Sequence, residues 1–226
     1  MRSESLRIGI VGAGIGGLTL ALALRQRGFV ADVYEQALEL REIGAAVALT
    51  ANGTRELERL GCLDAVAAVS TEPTEIIWRG WRDDRRIAAF PIGKNGEYRA
   101  RFGAPYFGVH RSDLQRVLAA AHGADGLHLG HRLVAVKEDK KVVKLDFANG
   151  NCAEVDVVIG ADGQRSLVRR YVAGEERVAY SRTSGFRGIV PVGHLPSLPD
   201  PQAVQFWMRR VFDESLHRGN RIERSQ

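Results

Sequence analysis

Two groups of residues near the amino terminus could together hold a dinucleotide. The first is Gly12-Ala13-Gly14-Ile15-Gly16-Gly17, in which Gly12, Gly14 and Gly17 fit G-x-G-x-x-G. The second is a single acid, Glu35, eighteen residues after Gly17. In such a pattern the first glycine permits a tight turn, the second lets the backbone approach a pyrophosphate, and the third lets a helix pack closely on a strand. The N–H groups that open the helix and its macrodipole both favour phosphate. A carboxylate at the end of the next strand can accept the hydroxyls of an adenosine ribose.

Three further places carry usable chemistry. Arg111, within Val109-His110-Arg111-Ser112-Asp113-Leu114, reads either as a surface arginine or as a partner for a phosphate or flavin-edge acceptor. Its neighbour His110 reads as a packed or hydrogen-bonded histidine. Asp162, in Gly160-Ala161-Asp162-Gly163, can hold a ribityl or ribose hydroxyl, or bond backbone N–H groups in a tight turn. Cys62 and Cys152 lack metal-ligand spacing, so no metal site is expected, and a reduced cytoplasmic protein is the simplest reading.

The elements that must position these groups follow from pattern. Leu6 to Val11 is a short apolar run suited to a buried parallel strand. A helix over about Ile15 to Arg27 stops at Gly28, and a second strand over Ala31 to Tyr34 leads to Glu35. Arg41 to Leu49 is a small-residue loop entering an extended piece, and Thr54 to Leu60 reads as a helix stopped by Gly61. Glu75 to Ile92 is β-like, with Trp78, Trp81 and Phe90 expected in core or sheet-face packing. Ser112 and Gln115 have capping-box spacing, which sets Arg111 just before a helix whose apolar stripe is Leu114, Val117, Leu118 and Ala121. Arg132 to Lys137, Val142 to Phe147 and Ala153 to Ile159 predict an antiparallel meander, its second hairpin turning at Asn149-Gly150.

Composition narrows the class. With 45% hydrophobic and 26% charged residues in 226, the chain is neither disordered nor a disulfide scaffold. Leu6 to Leu24 is interrupted by Arg7 and five glycines, so neither a signal peptide nor a membrane span is expected. The net charge of +5 comes from scattered arginines. That charge suits a solvated surface or an attraction for anionic cofactors and acidic substrates. No aromatic-interleaved basic stripe supports nucleic-acid binding.

Across about residues 6 to 208 the sequence resembles the FAD-dependent aromatic-ring hydroxylases, the family of salicylate hydroxylase and other hydroxylases of aromatic acids. Gly12 to Glu35 is similar to their extended FAD pattern, with Leu18, Ala21, Leu24, Gly28 and Val33 in place. Val109 to Leu114 looks like their His-Arg-x-x-Leu segment, Asp156 to Arg169 like their Asp-Gly motif, and Phe186 to Pro191 like a segment that follows it. The His-Arg segment and the Asp-Gly motif disfavour a simple NAD-dependent dehydrogenase.

The resemblance implies an α/β fold, with an FAD-binding Rossmann-like doubly wound domain and an incomplete β-rich substrate-binding portion. It implies a discontinuous FAD domain at 1–70 and 105–175, a partial substrate region at 71–104 and 176–208, and an atypical tail at 209–226. Gly12, Gly14 and Gly17 would contact the FAD pyrophosphate, Glu35 the ribose, and Arg111 FAD near its phosphates. Val47 would line the flavin side, Leu133 would offer backbone to adenine, and Asp162 would help hold FAD and NAD(P)H. The implied reaction is hydroxylation of a small aromatic acid by oxygen through a flavin C4a-hydroperoxide, in a protein with no membrane or nucleic-acid partner.

Two departures stand out. The family's second FAD motif, of the Gly-Asp-Ala-Ala-His type, is absent. After Met208 the likeness stops, which suggests a truncated or frame-shifted product and leaves a non-catalytic, nucleotide-binding remnant as the alternative. The catalytic base is not assignable, since neither His194 nor His217 falls in a matching motif.

Overall fold

A computed structural model describes residues 6–40, 46–93, 96–174, 179, 185 and 188–208. The chain begins with β1 (Ile8–Val11), α1 (Ile15–Arg25) and β2 (Ala31–Tyr34), then β3 (Ala46–Leu49), α2 (Ala51–Arg59), α3 (Leu63–Ala67) and β4 (Ser70–Thr71). The pair β5 (Glu75–Gly80) and β6 (Arg86–Pro91) leads through α4 (Glu97–Phe102) to β7 (Phe107–His110) and α5 (Arg111–His122). Then come β8 (Leu127–His128), β9 (Leu133–Asp139), β10 (Val142–Phe147), β11 (Cys152–Val155), β12 (Val157–Gly160), α6 (Leu167–Ala173) and β13 (Val204–Met208).

The centre is a parallel sheet in the order β12-β1-β2-β8. All four residues of β1 are buried, as a parallel strand covered on both faces requires. On one face, Leu18, Ala21 and Leu22 of α1 and Leu114 and Leu118 of α5 pack with Ile8, Ile10 and Val33. On the other, Val11 and Tyr34 meet Val136, Leu145, Phe147 and Val155 of the β9-β10-β11 meander and Val168 of α6. The α/β class therefore stands, with helices on one face and chiefly an antiparallel meander on the other.

Three local expectations change. The predicted strand from Ala153 to Ile159 is two strands: β11 closes the meander, and β12 joins the parallel sheet beside β1. The break falls at Asp156, whose carboxylate accepts the Arg7 backbone N–H at 2.8 Å and the Arg7 guanidinium at 2.6 Å. This clamp hands the chain from one sheet to the other. Helix α2 starts at Ala51 rather than Thr54, because the Thr54 N–H already closes a turn on the Thr50 carbonyl at 3.1 Å; the buried Thr54 hydroxyl donates to the Pro105 carbonyl at 2.8 Å. The capping box does not form. Arg111 is the first residue of α5, Ser112 bonds the His110 ring, and the buried end of the helix is His122 rather than the exposed Ala121.

Two smaller three-stranded sheets complete the described chain, β3-β7-β4 and β13-β5-β6. Strand β13 runs parallel to β5, so residues 204–208 return to the segment that carries Trp78. Phe90 meets Tyr98 edge-on, while Trp81 lies half exposed in the β5–β6 turn. Parts of three sequence readings, Arg41 to Ala45, Phe186-Arg187 and the tail from 209, lie outside the described residues. Among the described residues no helix is long and apolar enough to cross a membrane.

The Asp156 clamp makes a pH-dependent prediction. Side-chain hydrogen bonding from Arg7, then the Arg7 backbone N–H, holds the Asp156 carboxyl below the usual carboxylate range. A carboxyl whose pKa is lowered by folding stabilises the protein above its unfolded pKa and loses that contribution as pH falls through the folded value. Asp156→Asn should therefore lower the urea midpoint at neutral pH. The gap to wild type should close below the ordinary carboxylate range, and a gap that persists in strong acid contradicts the assignment.

Candidate cofactor site

The carboxyl ends of the parallel strands converge on one cleft, the usual ligand position in an open parallel sheet. Gly12 follows β1 with φ +105°, and a Cβ there would sit 2.4 Å from the Ala161 carbonyl oxygen. Gly17 lies in the first turn of α1, where a Cβ would come within 1.9 Å of the Gly12 carbonyl oxygen. The turn is thus pressed between α1 and the end of β12 with no room for a methyl group. The Gly12 N–H donates to the Tyr34 carbonyl and the Ala161 N–H to the Val11 carbonyl, both at 2.7 Å.

Glu35 locks the same turn from the end of β2. Its Oε2 accepts the Ala13 N–H at 2.8 Å and its Oε1 accepts the Ala37 N–H at 2.9 Å. A carboxylate has about four acceptor sites, so each oxygen retains capacity for a ligand hydroxyl.

The cleft measures about 800 Å³, within the size range of cofactor pockets. Gly12, Gly14, Glu35, Arg111, Leu133 and Asp162 all line it. Gly17 and Val47 do not. Gly17 acts by close packing behind the turn, and Val47 pairs with Val109 between β3 and β7. Arg111, Arg132, Arg165 and Arg170 line the cleft against Glu35, Glu39 and Asp162. Four guanidinium groups against three carboxylates leave the lining suited to an anionic ligand.

Asp162 has a local occupation. Its Oδ1 accepts the Ser166 hydroxyl, and its Oδ2 accepts the Leu167 N–H at 2.7 Å and the Val168 N–H at 3.3 Å. Ser166 in turn accepts the Arg169 N–H at 2.8 Å. The acid therefore shapes the turn that brings Arg165 and Arg170 to the cleft.

Sequence reasoning missed Tyr34, His131 and Gln115 in this lining. Burial, then the nearby Asp32 carboxylate, pushes the Tyr34 phenol up to about 12, so it is neutral at physiological pH. Its ring stacks on His128 and packs against Phe147. Gln115 is 5% exposed and donates from Nε2 to the Ala13 carbonyl at 2.9 Å. A signal for it existed, since Gln115 is four residues after Arg111 and shares its helix face. His110 bonds Ser112 through Nδ1, and its buried Nε2 has no partner among the described residues. His194 lies in an exposed 3-10 turn, and His217 lies outside the described residues. Among the described residues no cluster of three or more His, Cys, Asp or Glu could hold a metal.

A parallel sheet whose strand ends open on a cationic cleft, with a tight glycine turn bonded to an acid at its edge, is the arrangement of a dinucleotide-binding α/β protein. The residues fit a dinucleotide such as FAD: Gly12 and Gly14 line the cleft without a side chain, and Glu35 lines it with acceptor capacity to spare for a ligand hydroxyl. The profile of the FAD binding domain family matches residues 5–217, and the chain belongs to that family.

The chain is 40% identical over 208 residues to a 3-amino-4-hydroxybenzoate 2-monooxygenase of Streptomyces cremeus, covering 92% of this chain and 52% of that protein. It is 34% identical over 202 residues to a 6-hydroxynicotinate 3-monooxygenase of Bordetella bronchiseptica, covering 89% and 52%. The chain thus spans about half the length of these curated relatives. The structure of Klebsiella pneumoniae HpxO complexed with FAD and uric acid superposes with a TM-score of 0.66 at 31% identity, covering 74% of this chain and 41% of that one.

Gly17→Ala tests the packing of the turn. The added methyl would meet backbone rather than a yielding side chain, and overpacking of this kind costs roughly 1–3 kcal/mol or more. Urea unfolding should show that loss. An unchanged midpoint would mean that helix and turn are not in contact as described.

Proposed function

We propose that this chain is the FAD-holding part of an FAD- and NAD(P)H-dependent monooxygenase that hydroxylates a small aromatic acid. The observation that carries the reading is the cleft at the strand ends, where Glu35 and the glycine turn are bonded into one unit in a member of the FAD binding domain family. The monooxygenase names of the relatives support the reaction class.

In this reading Gly12, Gly14 and the first turn of α1 hold the pyrophosphate, with Gly17 keeping the helix close behind it. Glu35 accepts the ribose hydroxyls, the Leu133 main chain meets adenine, and Arg111 offsets phosphate charge. Val47 faces the flavin side. Asp162 serves FAD and the nicotinamide cofactor through the turn it shapes. The neutral Tyr34 phenol offers an aromatic wall without placing negative charge beside the phosphates. When bound, FAD would take reducing equivalents from NAD(P)H and activate oxygen for transfer to an electron-rich ring. The chain's own share is binding, orientation and exclusion of water.

The same reading divides the chain into an FAD domain at 1–70 and 105–175 and a substrate-side region at 71–104 and 176–208. The partners are an aromatic acid and oxygen, with neither membrane nor nucleic acid. A cytoplasmic location fits the two free cysteines. A second reading is that this chain binds the dinucleotide without by itself turning over substrate.

The purified chain should keep flavin absorption after incubation with FAD and desalting. Glu35→Gln should weaken FAD binding about tenfold to a hundredfold, the effect of losing charge-assisted hydrogen bonds. NADH and NADPH oxidation is then followed with a panel of aromatic acids, with mass spectrometry for a product heavier by one oxygen. A coloured protein without such product selects the second reading, and a protein that never retains FAD contradicts both.

A further inference from the structure

The glycine turn is held by a residue outside the dinucleotide pattern. Gln115 lies 102 positions along the chain from Ala13, on α5, yet its carboxamide is buried against the turn and donates to the Ala13 carbonyl at 2.9 Å. A carbonyl can only accept, so the amide nitrogen must face it. On the other side of the same residue, the Ala13 N–H donates to Glu35. The two peptide units that flank the Ala13 α-carbon are therefore both fixed by side chains, one just past β2 and one from α5.

The consequence lies in the second of those units. A trans peptide is planar, and its C=O and N–H point in opposite directions. Holding the Ala13 carbonyl on Gln115 fixes the opposite direction for the Gly14 N–H, and Gly14 lines the cleft. Rotation of this peptide plane would turn the oxygen, a partial negative charge, toward the place where the phosphates belong. Glycine at position 14 makes that rotation sterically easy, so something outside the turn must oppose it.

We propose that Gln115 is a positioning residue for the dinucleotide pyrophosphate: through the Ala13 carbonyl it keeps the Gly14 N–H presented to the phosphates. This rests on the FAD-binding reading above. It also gives α5 a second contribution to the site. Arg111 supplies charge at the mouth of the helix, and one turn later Gln115 sets the direction of a backbone donor.

The test compares FAD, ADP and adenosine binding to the full chain by isothermal titration. Gln115→Met keeps the side-chain length and removes the donor. It should weaken FAD and ADP about tenfold, the effect of about 1.4 kcal/mol, and leave adenosine within about twofold. A residue that merely staples α5 to the turn would weaken all three ligands alike, or would lower the melting temperature without changing affinity. Either result overturns the proposal. Gln115→Glu provides a second readout should the methionine variant not fold. Its ionised carboxylate cannot donate to Ala13, whereas the protonated acid can. Its ADP affinity relative to wild type should recover as pH falls from neutral to about 5, toward the range where carboxylates take up protons. No recovery overturns the proposal. If wild type binds adenosine but neither ADP nor FAD, the FAD reading itself fails, which is distinct from the loss of selectivity in the variant alone.

Discussion

The site depends on one close approach, that of the Gly12 turn to the end of β12. A Cβ at Gly12 would stand 2.4 Å from the Ala161 carbonyl oxygen, and one at Gly17 would stand 1.9 Å from the Gly12 carbonyl oxygen. Because three backbones meet where one side chain would intrude, the first turn of α1 can begin right at the sheet edge. Gly14, which caps that turn, lines the cleft, and the N–H groups that open a helix favour an anionic ligand. Neither the cleft nor its cationic lining would gather at this point if the helix started farther away.

Around that contact, charged groups are arranged to organise backbone as much as to meet a ligand. Glu35 holds two amides, Asp162 holds two amides and a hydroxyl, and Asp156 holds an amide and a guanidinium. Each stands at or near the junction where a strand gives way to the next element. A carboxylate has enough acceptor sites to fix a turn and still present lone pairs outward. Glu35 and Asp162, which line the cleft, can therefore shape it and remain available to what binds in it.

The β13-β5-β6 sheet is secured in a comparable way by the buried Arg79. Its guanidinium donates to Gln205 at 2.6 Å, to the Asp84 carbonyl at 2.7 Å and to the Asp200 carboxylate. Asp84 and Asp200 are the two non-glycine residues with positive φ among those described. Such conformations persist where surrounding contacts over-determine them, and a buried guanidinium must in turn have its donors satisfied. The arginine and the two strained turns are thus mutually required. They join segments more than a hundred residues apart along the chain.

The residues from Gly12 to Glu35 were readable in the sequence because their roles are local. A glycine turn, a helix with its packing face and a four-residue strand follow from short-range sterics and apolar pattern, and the structure has them within about two residues of expectation. The likeness around Arg111 and Asp162 also named two positions that line the same cleft. Gln115 escaped because its spacing from Ser112 imitated a cap, whereas its partner is the distant Ala13 carbonyl. The split of the third meander strand escaped because Ala153 to Ile159 reads as one continuous β-like run, and the clamp at its break joins Asp156 to Arg7, far away along the chain. By itself the sequence determined the dinucleotide unit and the family. The tertiary structure decided which distant side chains fix its peptide planes, because hydrogen-bond partners across a fold depend on three-dimensional proximity that no local pattern encodes.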